Sequence, residues 1–381
     1  MGCALNQNCG GCRFRDLSLS DYQKQKKNVV LSILEQNLGS LEDIFETPIF
    51  ISDGRRRRAA FAFHLQKNKL IFGFNENQSH RIVDIQNCLM LTPKINQNLE
   101  NFRAFLARLC TITVIKKFKG KKFASEQILD GDLLVTEAQN GLDVVLEADI
   151  ALSYNHRTEI ADFMAQNDDI IRFSYRLKHM QKAETIVQKS APFIDIAERR
   201  VLISPGDFLQ ASKEGEKALI DTAVRYIGDT RGKMADLFCG IGTFSYALSN
   251  LEKSKILASD ISPSLLEGFQ KSVHAQMIQN IEIKQKNLFL YPFEASELEN
   301  FDVILFDPPR AGALEQVRKI ARIEEGKKPK KIIAVSCNVG TFCRDAKVLI
   351  EARFALKKIT LVDQFVYSDH SEVVALFEKK S

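Results

Sequence analysis

The stretch "IIAVSCNVGTFC", residues 332–343, sets two cysteines after an apolar run. Cys337 falls where a strand should stop, directly before a helix expected to begin around 338–341, and Cys343 falls inside that helix. A helix N-terminus and basic neighbours lower a thiol's pKa, so Cys337 is expected to ionise readily and act as a nucleophile. A cysteine within a helix is more often a small packing hydrophobe, and Cys343 is given no chemistry. An acid able to serve the nucleophile lies in "DHSEVVALFEK", where Glu372 opens the last strand and could return to the same sheet edge.

Two further motifs point to a ligand. "MADLFCGIGTF" places Gly240 and Gly242 between a strand and a helix start, and Asp260 ends the next strand, "ILASD". Glycines let a turn approach a ligand closely, and an acid at that position accepts ribose hydroxyls. This pair fits NAD, S-adenosylmethionine (SAM) or an ordinary α/β turn. "FDVILFDPPRAG" then ends a strand in Asp307-Pro308-Pro309-Arg310. The prolines stiffen the loop leaving the sheet, and Asp307 is available to a polar group lying across the strand ends. NAD dehydrogenases do not need this arrangement. Amine methyltransferases use a similar acid–Pro–Pro turn followed by an aromatic residue, from which Arg310 departs. The balance favours SAM over NAD and opposes amine methylation.

The elements that must position these residues form a repeating pattern. From residue 206 strands and helices alternate, with seven strands in "KMADLF", "KILASD", "IEIKQKN", "FDVILFD", "KKIIAVS", "ALKKITLVD" and "SEVVALFEK". Such alternation implies an α/β fold with a mostly parallel sheet and helices on both faces. Upstream lie a helix in "SDYQKQKKNVVLSILEQNL" capped by Ser20 or Asp21, short alternating strands over 55–85, helical spacing over 92–109, and strand patterns from 110 to 205 with a helix near 158–166. That half reads as α+β, so the expected domains are 1–205 and 206–381.

Charge is uneven along the 381 residues. The net charge is +5, from 53 basic and 48 acidic residues, yet residues 1–125 hold 20 basic and 10 acidic ones. "GRRRRAAFAFH" (54–64) and "KKFKGKKF" (116–123) carry much of that excess. One such run is as readily a solvated face. Two, interleaved with phenylalanine, favour a phosphate backbone and unstacked bases. No apolar run reaches the ~18 residues of a membrane span, and the N-terminus lacks the pattern of a signal peptide. A cytoplasmic location is expected. Eight cysteines, at 3, 9, 12, 88, 110, 239, 337 and 343, then read as reduced thiols rather than a disulfide framework. Cys3, Cys9 and Cys12 with Cys88 offer four thiolates to a metal centre, for which zinc and [4Fe-4S] are both chemically possible. Cys110 and Cys239 read as packing residues.

"FLQAS" (208–212), "DLFCGIGTF" (236–244), "FDPPRAG" (306–312), "SCN" (336–338) and "HSEVV" (370–374) occur in one order. In these motifs the sequence resembles the SAM-dependent RNA uracil-C5 methyltransferases. The resemblance implies a Rossmann-like SAM methyltransferase domain preceded by an α+β Fe–S and RNA-binding domain. It implies Cys337 as the nucleophile that adds to uracil C6 and Glu372 as the base that removes the C5 proton. Gln210, Phe238, Gly240, Asp260 and Asp307 frame the SAM pocket, and Cys3, Cys9, Cys12 and Cys88 hold a [4Fe-4S] cluster. One departure stands out: Ser212 occupies a position where the family usually shows Asn. Within the family, tRNA enzymes generally lack the cluster, and one rRNA branch carries an OB-like domain ahead of it. With the first cysteine at residue 3, the resemblance is to the shorter 23S rRNA type. The expected activity is therefore C5 methylation of a 23S rRNA uridine, flipped out so that C6 can be reached, by a monomer without membrane association. The alternatives are the same chemistry on tRNA or on several rRNA sites, and an RNA-binding Fe–S protein with an inactive methyltransferase fold. Intact Cys337 and Glu372 speak against the last.

Overall fold

The computed structural model describes all residues except 1, 2, 4, 6, 7, 78, 118–122, 181 and 381, with backbone alone at 116, 117, 123 and 124. Most of the basic run at 116–123 lies outside the described residues. The chain forms two compact units, and no single cut divides them. The first is Met1–Asp16, Ser52–Ile194 and Leu202–Ala211; the second is Leu17–Ile51, Asp195–Val201 and Ser212–Ser381.

The second unit is built on strands buried along their whole length, such as Val303–Phe306 and residues 332–336. Continuous apolar runs of this kind need cover on both faces, which helices supply. In chain order its main elements are α1 (Leu19–Leu38), β1 (Ile49–Phe50), α2 (Lys213–Ile227), β2 (Lys233–Leu237), α3 (Thr243–Ser249), β3 (Lys255–Asp260), α4 (Pro263–Ala275), β4 (Ile281–Gln285), β5 (Val303–Phe306), α5 (Leu314–Ala321), β6 (Lys331–Ser336), α6 (Val339–Glu351), β7 (Phe354–Asp363) and β8 (Glu372–Lys379). The sheet runs β1-β7-β8-β6-β5-β2-β3-β4. Neighbours are parallel except around β8, which is antiparallel to both β6 and β7.

The seven expected strands are all present, and β1 adds an eighth from far upstream. It pairs Ile49 with Val362 and Phe50 with Asp363. Helix α1 also belongs here, because Val30 and Leu34 share one apolar cluster with Phe342, Leu349 and Phe354. Cys343 lies in the same cluster and is a core residue. The α1 cap is Ser18, whose side chain accepts from the Asp21 N–H, rather than Ser20 or Asp21.

The first unit carries a seven-stranded sheet whose two longest strands, Arg58–Gln66 and Asp130–Ala138, are antiparallel neighbours. Helices Leu99–Leu109 and Tyr154–Gln166 contribute to its core, with Phe105 stacked on Phe163 at 4.3 Å. The arginine run at 55–58 is not a uniform solvated stripe. Arg57 is 5% exposed and donates to the Gln210 carbonyl at 3.1 Å, while the Arg58 guanidinium lies 5.6 Å from the centre of the exposed Phe208 ring.

Candidate active site

The turn after β2 is shaped by backbone that L-residues rarely adopt. Phe238 has φ +63°, Gly240 +56° and Gly242 +89°. A Cβ on Gly242 would stand 2.5 Å from the Phe269 ring, so that position needs glycine twice over. Gly240 has open space where its Cβ would be, the kind of gap a ligand fills. Its N–H donates to Asp260 Oδ2 at 3.0 Å, and the Ser262 N–H donates to Oδ1 at 2.8 Å. These bonds fix the carboxylate at the end of β3, and each oxygen keeps a lone pair for a further donor. Behind the turn, Asp236 is fully buried and takes a 2.6 Å bond from the Ser245 hydroxyl. Burial first, then the nearby Asp307 and Asp260 charges, push its carboxyl up to about 7 against the lowering effect of Ser245.

Parallel strands β2, β3, β5 and β6 all end at one edge, which places Phe238, Asp260, Asp307 and Cys337 along it. Only an antiparallel strand can begin at that edge, and β8 does. Ser336 of β6 pairs with Val373 of β8, so the next step of the ladder sets Cys337 against Glu372. Helix α6 follows at once, with the Asn338 side chain accepting from the N–H groups of Gly340 and Thr341. The loop after Asp307 is tied to α6 where Thr341 Oγ1 donates to the Arg310 carbonyl at 3.2 Å.

The electrostatics of this group differ from the sequence expectation. The Cys337 thiol is pushed up to about 11, mainly by burial, then by Glu372 and Asp307; Arg310 opposes them. The expected lowering fails because burial disfavours the thiolate and two acids add to the rise, which one exposed arginine does not balance. Glu372 is 4% exposed. Burial and then Asp307 hold its carboxyl well above the usual range, against a bond from Gln364 and the charge of Arg310. Gln364 Nε2 donates to Glu372 Oε1 at 3.3 Å.

Gln364 and Arg310 are partners that sequence reasoning did not place in the site. Arg310 was visible in its motif, while nothing in "LVDQF" marks Gln364. Ser212 acquires a defined place: its hydroxyl caps α2 by accepting from the Gly215 N–H at 3.0 Å. Ser and Asn cap helices about equally well, so the departure costs α2 little. Gly215 lets the first turn of α2 approach Gln364, whose Cβ would lie 2.6 Å from a Cβ there. Gln210 falls in the first unit.

The four N-terminal-set cysteines all fall in the first unit. Cys9, Cys12 and Cys88 line one cleft of about 430 Å³, together with Arg56, Arg58 and Met90. Burial pushes the Cys12 thiol up to about 12, with Cys88, Cys9 and Cys3 adding to the rise and Arg15 opposing it. Cys88 is raised as well, by burial and then, more weakly, by Cys9 and Cys3. Four thiols that feel one another fit thiolate ligation in their donor chemistry. Among the described residues, however, no group of three or more His, Cys, Asp or Glu side chains is arranged to hold a metal ion. Cys110 and Cys239 are buried, as packing residues should be.

A Rossmann-like sheet with a glycine turn after its first long strand, an acid ending the next and a thiol further along the same edge defines a SAM-dependent methyltransferase. The model described as tRNA (Uracil-5-)-methyltransferase matches residues 20–288 and 292–380, and the chain belongs to that family. It is an RNA uracil-C5 methyltransferase. An uncharacterized RNA methyltransferase of Brucella melitensis is 32% identical over 99% of this chain and 84% of its own. A 23S rRNA (uracil(1939)-C(5))-methyltransferase, RlmD, of Mannheimia succiniciproducens is 28% identical over 100% of this chain and 82% of its own. In structure, the chain is similar to the Pyrococcus abyssi tRNA (uracil-54, C5)-methyltransferase solved with S-adenosyl-L-homocysteine. That match has a TM-score of 0.74 at 21% identity and covers 96% of this chain and 85% of that one. Among the described residues no helix is long and apolar enough to cross a membrane.

Proposed function

We propose that the protein methylates C5 of a uridine in 23S rRNA, with Cys337 as nucleophile and Glu372 as base. The observation that carries this reading is the antiparallel register that opposes the two side chains at the sheet edge. Uracil C5 is too weak a nucleophile to be methylated directly. The Cys337 thiolate forms a bond to C6, and the displaced electron pair makes C5 an enolate-like carbon. When bound, SAM would supply an electrophilic methyl group to that carbon, its methyl–sulfur bond breaking to leave S-adenosylhomocysteine. The Glu372 carboxylate then takes the C5 proton, the C5–C6 double bond re-forms, and the C6–S bond breaks to release the thiolate. Arg310, which lowers the Cys337 pKa, favours the thiolate at both ends of the cycle.

Phe238, Gly240, Asp260 and Asp307 would hold SAM along the strand ends. In the first unit, Cys3, Cys9, Cys12 and Cys88 would hold a [4Fe-4S] cluster, which would serve structure rather than turnover, since methyl transfer requires no electron transfer. The choice of 23S rRNA rests on similarity to RlmD proteins over 99–100% of this chain and 82% of theirs.

The reaction is tested with a uridine-containing rRNA fragment and labelled SAM. Cys337→Ala should lose both methylation and the covalent protein–RNA adduct, whereas Glu372→Gln should accumulate the adduct. Methylation by Cys337→Ala would refute the nucleophile. The target is tested by mapping 5-methyluridine in rRNA and tRNA from a deletion strain; loss confined to tRNA would refute 23S rRNA.

A further inference from the structure

Glu372 is delivered by the loop 364–371, which joins β7 to β8. Ser368 donates to the Phe365 carbonyl through both its N–H and its hydroxyl, and the His370 N–H donates to Ser368 Oγ. Tyr367 sits at φ +60°, a conformation that costs an aromatic residue energy unless its surroundings impose it. Those surroundings come from helix α1. Lys26 Nζ donates to the Ser368 carbonyl at 2.6 Å and to the His370 carbonyl, and lies 3.4 Å from Asp363 Oδ1. One turn earlier, the Tyr22 hydroxyl donates to Asp363 Oδ2, and its ring lies 4.6 Å from the Tyr367 ring.

The place of this lysine is unusual. The buried residues of α1 are Tyr22, Lys26, Val30 and Leu34, spaced by four along one core-facing stripe. An ammonium in such a stripe is costly unless its donors are all met. Here two carbonyls accept from it and the Asp363 carboxylate pairs with its charge, and all three groups belong to one short segment, 363–370. That segment also contains Gln364, bonded to Glu372, and His370, which contacts Arg310.

We infer that Lys26, with Tyr22 and Asp363, is a positioning residue that fixes the 364–371 loop and so aims Glu372 at the substrate. This rests on the reading of Glu372 as the base. Lys26 touches no reacting atom; it sets where the carboxylate stands.

The test uses the full-length protein, the rRNA fragment and single-turnover kinetics on a denaturing gel. Lys26→Met keeps an unbranched side chain one atom shorter and removes its donors. Misaiming a catalytic group by about 1 Å costs on the order of 100-fold, so kcat should fall by about 10- to 100-fold while the covalent adduct persists. KM for RNA should stay within about twofold, and Lys26→Arg should restore much of the rate. If Lys26→Met melts below assay temperature, Lys26→Met/Asp363→Asn removes the stranded charge and should show the same long-lived adduct. Wild-type adduct lifetime in a folded Lys26 variant overturns the inference. Glu372→Gln run alongside separates the two readings. Should it fail to accumulate adduct, the base assignment falls and this inference with it. Should it accumulate adduct while the Lys26 variants do not, only the positioning role falls.

Discussion

Replacing Glu372 by Gln should make Cys337 a more reactive thiol even as it cripples the proposed reaction. In the free protein the thiol is pushed up to about 11, and Glu372 is the largest charge contribution to that rise. Ser336 and Val373 close the antiparallel ladder, and Cys337 and Glu372 are the next residue on each strand, where paired Cα atoms would be ~4.5–5.5 Å apart. Two unit charges about 5 Å apart at an effective dielectric of ~20 interact by about 3 kcal/mol, or ~2 pH units. Cys337 is half-buried, and solvent screening reduces this to about 1–2 units. The sign follows for the ionised carboxylate: charged Glu372 raises Cys337, so deleting it lowers the ionisation midpoint. Alkylation follows the thiolate fraction, so iodoacetamide labelling of the Cys337 peptide at pH 8, read by mass spectrometry, should accelerate about 10- to 100-fold. In wild type the rate should climb about tenfold per pH unit between pH 7 and 9. Arg310→Ala should act in the opposite sense, because that guanidinium lowers the thiol. Equal or slower labelling in Glu372→Gln would refute the electrostatic reasoning.

Gly242→Ala must force a left-handed φ on alanine and press its Cβ into Phe269, and thermal melting should show a loss of about 2–4 kcal/mol. Gly215→Ala pushes on Gln364, and turnover should fall more than RNA affinity does, measured as a split between kcat and KM. Anaerobically purified protein should be brown with about four irons per chain, and single Cys→Ser changes at 3, 9, 12 or 88 should lower the iron content; a colourless protein with one zinc would refute the cluster.

Strand spacing and the two ligand motifs made the catalytic half readable, because continuous apolar runs ending in Gly, Asp or Cys have few other uses. The order of those strands carried the chemistry with it, since an antiparallel β8 had to bring Glu372 back to the end of β6. What local pattern could not reveal was long-range pairing. Ile49–Phe50 is too short to announce itself as a strand, and its partner lies more than three hundred residues away. Lys26 looked like one polar residue among several in α1, and only the segment it faces explains its burial. The thiol's pKa was misjudged because helix and arginine are visible in sequence beside Cys337, whereas the opposing acids arrive from other strands. The cysteine spacing drew attention to one cleft without fixing how the thiols are set around it.

The position of α1 in the sequence has a consequence for synthesis. About 340 residues separate its end from the end of β8. At ~5–20 residues per second, a nascent helix waits roughly 17–70 s before the strands and loop that cover Tyr22, Lys26, Val30 and Leu34 exist. During that interval its apolar stripe is exposed and its lysine has no carbonyls to hold. The first unit is translated in the meantime, while the catalytic unit, drawn from three chain segments, is still incomplete. Competence for the proposed chemistry then arrives in a single late event, when β8 inserts between β6 and β7.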